Sequence, residues 1–146
     1  MSGKARALAM IVVLSVAGLL ALAGWAAETP DQAAQIPEIP AEAKTIKNPA
    51  EATPESIANG KQIYTSQCAM CHGVSGDGKG DLAIRFKYAM ADFRTAAAQS
   101  ARTDGEWFHV LTHGHGKMSG EGDRLSQKVR WDLVNYLRAL GPKSGT

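Results

Sequence analysis

The apolar and polar positions divide the chain into three regimes. Ala7 to Ala27 contains no charged side chain, and Lys4 and Arg6 stand just before it. A helix rises 1.5 Å per residue and crosses a bilayer core in about 20 residues, so this stretch is long enough to span. The cations ahead of it direct the remainder to the far side of the membrane. A cleaved export signal is the alternative, because the richest apolar run, Ile11 to Leu22, is short and small residues follow at Ala21, Ala23, Gly24 and Ala26. The expectation is a retained anchor over residues 1–27, spanning through 7–27, with a removed leader and a soluble periplasmic chain as the alternative.

Residues Glu28 to Ala52 have a different texture. Pro30, Pro37, Pro40 and Pro49 are spread along them, aromatics are absent, and Ile36, Ile39 and Ile46 are the large aliphatics. Such a segment builds no core of its own, so 28–52 is expected to be an extended, semi-rigid linker.

From Thr53 the period becomes helical. Thr53 offers a capping hydroxyl and Pro54 suits the first helical position. Ile57, Gly60, Tyr64, Cys68 and Cys71 then follow at steps of three and four, one stripe of a helix. Gly60 is costly inside a helix, which predicts close approach of a second helix there. Four glycines between Gly73 and Gly80 predict a loop of tight turns. Leu82 to Met90 reads as a short helix or turn with Leu82, Ile84 and Phe86 partly inward, and Asp92-Phe93 as the start of another short piece. Thr103 and Glu106 form a capping-box pattern before Trp107, Phe108, Val110 and Leu111. His113 to Gly120 is a glycine-rich loop presenting one methionine, Met118. Ser126 caps the last helix, whose apolar face is Val129, Leu133, Tyr136, Leu137 and Leu140, and Gly141-Pro142 stops it. Three to five helices and no strand predict an all-α domain over residues 53–146.

Charge narrows the partners only a little. The whole chain carries +2 over 146 residues, too little to indicate nucleic acid. From Thr53 onward 12 Lys and Arg face 9 Asp and Glu. A domain of about 90 residues makes a thin core by itself, so a buried apolar group would complete it.

The chemistry concentrates at Cys68-Ala69-Met70-Cys71-His72. Two cysteines three apart followed by histidine is the spacing that attaches a c-type haem. Positions i and i+3 share a helix face, so both thiols can meet one porphyrin edge while the next residue offers its imidazole to the iron. Both cysteines of the chain are used here, which leaves no disulfide framework. Three other readings compete: a redox dithiol, which needs a βαβ setting; a plain disulfide; and half of a zinc site, with His109 and His113 at an H-x3-H spacing but with 37 residues between Cys71 and His109.

The order of these parts resembles a class I monohaem cytochrome c, from about Thr53 to Gly141, roughly 60% of the chain. The resemblance rests on Gly60 and Tyr64, on Cys68-Ala69-Met70-Cys71-His72, and on Gly-Asp-Gly-Lys-Gly at 76–80. Ala91-Asp92-Phe93, the loop holding Met118, and Arg130-Trp131-Asp132-Leu133-Val134-Asn135-Tyr136-Leu137 complete it. It implies one covalent haem c on Cys68 and Cys71, with His72 and Met118 as axial ligands. It also implies that the first and last helices cross at Gly60 and Tyr64 against Leu133, Tyr136 and Leu137. Two positions depart from the family: Gly80-Asp81 stands where a proline carbonyl often steadies the proximal imidazole, and Ser119-Gly120 follows the methionine where proline is frequent. Met90, His113 and His115 are the other distal candidates, and Trp107, Tyr88, Arg85 and Arg94 are candidate propionate partners.

The function this implies is one-electron transfer between redox proteins, with a membrane oxidoreductase complex as partner and no small-molecule substrate. The chain would then be a carrier or a subunit and no enzyme by itself, placed on the periplasmic side. Lys79, Arg85, Lys87 and Lys117 are candidates for a surface that meets an acidic partner. The rival class is a haem c enzyme or a gas or peroxide sensor with an open distal position, where His113 or His115 would handle protons.

Overall fold

The computed structural model describes residues 38–143. The expected anchor or leader over 1–27 and the start of the expected linker lie outside those residues. Among the described residues no helix is long and apolar enough to cross a membrane.

The architecture is mostly helical. Helix α1 (Pro54–Ile63) starts where the sequence predicts, with the Thr53 hydroxyl accepting from Ser56 N and Pro54 in the first turn. A π-helical turn, Tyr64–Cys68, follows, and then one α-turn, α2 (Ala69–His72). The chain continues through α3 (Asp81–Phe86), α4 (Ala96–Ser100) and α5 (Asp104–His113), and closes with α6 (Gln127–Ala139). Both halves of the predicted capping box form at α5: Thr103 N donates to Glu106 Oε2 at 2.7 Å, and Glu106 N donates to Thr103 Oγ1 at 3.3 Å. Ser126 caps α6 as expected.

The core lies where α1 crosses α6. A methyl group built on Gly60 would lie 2.1 Å from Asp132 O and 2.8 Å from Tyr136 Cβ, so only glycine permits this approach. One turn later the Tyr64 and Tyr136 rings pack with centroids 5.1 Å apart. Leu133 and Val134 are fully buried beside them, and Trp107, Leu111 and Trp131 extend the cluster. Polar groups bind the same crossing: Ser56 Oγ donates to Asp132 Oδ1 at 2.6 Å, and Asn135 Nδ2 donates to Ser56 Oγ at 2.9 Å.

Four features differ from the reading of the sequence. First, a two-stranded antiparallel hairpin appears, β1 (Gly114–His115) against β2 (Met118–Ser119), pairing His115 with Met118. Two-residue strands have no period to detect, and positive φ at Gly114 and Gly116 supplies the turn. Second, the helical stripe is not one regular helix, since the π turn over Tyr64–Cys68 interrupts the α-helical spacing. Third, Ile84 and Phe86 point outward, 64% and 54% exposed, while Ala83 takes the inward position. Fourth, the later part of the expected linker is seated on the domain. Ala41–Thr45 forms a 3-10 turn with Ala43 buried, and Gly105 of α5 lets Ala43 O and Ile46 O approach. Asn135 accepts from Asn48 Nδ2 at 2.7 Å and donates to the carbonyls of Ala50 and Glu51.

Candidate functional site

The three motif residues sit at the end of the α1–π–α2 rod, where the π turn re-aims the chain before Cys71 and His72. Cys68 and Cys71 are half-buried free thiols. Burial, and next the nearby charge of Glu121, push the Cys68 thiol up to about 11. Burial holds the His72 imidazole below its ordinary pKa, so the ring is neutral with a lone pair available. His72 Nδ1 is buried with no hydrogen-bond partner, an arrangement that is costly in a finished interior.

The loop behind His72 is tied down by backbone bonds. Gly73 takes positive φ as α2 ends, and Tyr64 OH donates to Gly73 O at 2.8 Å. Gly78 N donates to His72 O at 2.8 Å, and Phe93 N donates to Gly76 O at 2.8 Å. Gly80 passes so close to the α2 backbone that a methyl group would lie 2.4 Å from Met70 O. This lacing brings the Phe93 ring onto the His72 imidazole, centroids 5.0 Å apart and planes inclined by 25°. The sequence alone does not assign Phe93 that contact. The aromatic after the loop is visible, but its partner depends on how the glycines fold the loop back.

Met118 lies on β2, half-buried against the same hydrophobic cluster as Cys68 and Phe93. Two residues beyond the hairpin, Glu121 is buried with Oε2 unpartnered, and it is near enough to raise the Cys68 pKa. A lone acid in a glycine loop carries no sequence signal, so Glu121 becomes visible only in the fold. The other candidates have separate surroundings. Trp107 is buried under the Arg138 guanidinium, 4.2 Å from its ring centroid, and Arg94 pairs with Asp92 at 2.8 Å. Lys117 lies over the Tyr88 ring at 4.9 Å, and Arg85 over Phe86 at 5.8 Å. Nε2 of His115 is 3.5 Å from Arg102. Among the described residues no three His, Cys, Asp or Glu side chains gather as metal ligands, so His109 and His113 do not join the cysteines in a zinc site.

Residues 55–137 match the family described as cytochrome c oxidase, cbb3-type, subunit III. The chain belongs to this family. It is thus a c-type cytochrome domain, and the family implies haem c. No curated protein matches the chain. Among solved structures it is similar to a chain of the reducing HAO-like protein complex of Kuenenia stuttgartiensis, at 26% identity and a TM-score of 0.53. That match covers 66% of this chain and 50% of the other, so the cytochrome spans about half the length of that neighbour.

The residues fit such a group. Two half-buried thiols, a neutral imidazole, and a thioether against the same apolar cluster form a donor set suited to haem iron and its porphyrin edge.

Proposed function

We propose that this cytochrome is a one-electron carrier holding a single haem c covalently, and that it passes electrons between redox proteins as a carrier or as a subunit of an oxidoreductase complex. Cys68 and Cys71 would hold the porphyrin as thioethers, and His72 and Met118 would hold the iron. The observation that carries the reading is the pair of half-buried free thiols next to a largely buried, neutral His72 in a family that uses haem c.

Haem bound in this way supplies reversible one-electron oxidation and reduction at iron. The chain's residues set the conditions. Burial keeps His72 neutral and ready to donate its lone pair. Phe93 covers one face of the imidazole, and the Tyr64 bond to Gly73 O fixes where the loop leaves α2. The β1–β2 pairing holds the backbone of Met118, and a neutral thioether favours the reduced form over a second imidazole. If His72 and Met118 both hold the iron, the group would be left to exchange electrons rather than to bind a substrate.

The similarity to a chain of a multi-protein complex supports a role inside a larger redox assembly. The uncharged stretch at residues 7–27 after Lys4 and Arg6 supports a membrane tether with the haem domain on the periplasmic side. The absorption spectrum of the ferric holoprotein tests the ligand set. A weak far-red band that disappears in Met118→Ala is expected. A high-spin spectrum in the parent, or an unchanged band in Met118→Ala, overturns the assignment and favours an open-site enzyme or sensor.

A further inference from the structure

His109 and His113 lie one turn apart on α5, on the same face of the helix. Their rings approach to 4.4 Å between centroids, with planes inclined by 43°. His113 is exposed and His109 half-buried, so water and ions have access to the pair. From this separation one ring nitrogen of each can meet a single ion, as in sites that take two histidines from successive turns. Neutral imidazole is the side chain that first-row divalent ions such as copper, nickel and zinc favour. His115, nearby in sequence, lacks this freedom because the Arg102 guanidinium stands 3.5 Å from its Nε2 and repels a cation there.

We propose that His109 and His113 form a surface site for a divalent transition-metal ion, separate from the Cys68–His72 motif. Two protein ligands leave the remaining coordination positions to water. Binding across the last turn of α5 would clamp the helix end from which the Met118 hairpin departs. The site is thus placed to stiffen the segment that carries Met118.

Titration of zinc(II) alone into the full-length holoprotein, followed by calorimetry, tests the proposal. One equivalent should bind, and His113→Ala or His109→Ala should each weaken binding by at least about tenfold, since a direct ligand is lost. His115→Ala should bind as the parent does. Zinc should also raise the thermal midpoint of the parent but not of His113→Ala, because an ion that binds only the folded state stabilises it. His113 is exposed, so its replacement leaves the core intact even if His109→Ala folds poorly. No binding by the parent, undiminished binding by His113→Ala, or loss of binding in His115→Ala overturns the proposal.

Discussion

Replacing Gly60 by alanine puts two effects of opposite sign in competition. In an isolated helix the change is favourable by about 1 kcal/mol, because glycine spends more backbone entropy on folding. At this position the new methyl would lie 2.1 Å from Asp132 O, 2.7 Å from Asp132 C and 2.8 Å from Tyr136 Cβ. All three are backbone or near-backbone atoms of α6, so none can swing aside. Relief requires α1 and α6 to separate by about an ångström, which loosens the Tyr64–Tyr136 contact and stretches the Ser56–Asp132 bond of 2.6 Å. Overpacking a core typically costs about 1–3 kcal/mol, and a backbone clash belongs at the upper end. The net expectation is a loss of about 2 kcal/mol. For a domain of this size that is a fall in midpoint of about 8–16 °C. Thermal unfolding of the holoprotein followed by far-ultraviolet circular dichroism reads it directly. An unchanged or raised midpoint would refute the close-crossing argument, because propensity alone would then decide the sign.

Two further outcomes follow from the same crossing. Asn135→Ala strips partners from Asn48, Ser56 and the Ala50 and Glu51 carbonyls, so it should cost about 2 kcal/mol and speed tryptic cleavage after Lys44 and Lys47; cleavage at the parental rate would mean residues 41–52 are not held by this side chain. Burial tends to raise the Asp132 pKa, but hydrogen bonds from Ser56 and Lys128 outweigh it and hold the carboxyl below its ordinary value. Its contribution is therefore present at neutral pH and is lost as pH falls below about 4 through the folded-state value. Asp132→Asn should lower the midpoint at pH 7 and lose less stability than the parent on acidification. Parallel acid curves for the two proteins would contradict that.

What the sequence made legible was local or strongly periodic. Thr53-Pro54, Thr103 with Glu106, and Ser126 each announce a helix start through side chains within four residues. The Gly60–Tyr64 stripe announces a crossing because glycine inside a helix needs a reason. The motif is equally plain as a pattern, since Cys68, Cys71 and His72 stand at the spacing that attaches a c-type haem. Less visible were features that depend on distant partners. The seating of residues 41–52 relies on Asn135, more than eighty positions away, and on a single small buried residue, Ala43. The outward turn of Ile84 and Phe86 is hidden because α3 is too short to impose a face. Arg138 donates to Asp104 Oδ1 at 2.6 Å and to Arg102 O at 2.8 Å while covering Trp107, and nothing in the spacing of these residues foretells that they meet. The stacking of Phe93 on His72 is of the same kind.

The proposed function requires one haem fastened covalently through Cys68 and Cys71. Its most direct measurement is the intact mass of the purified holoprotein after acid denaturation and solvent extraction, following expression with a haem-maturation system. The expected result is a polypeptide that keeps the mass of one haem, and a haem-free mass when both cysteines are replaced by alanine. A parent chain that gives up all its haem on extraction, or retains it without the two cysteines, would contradict it.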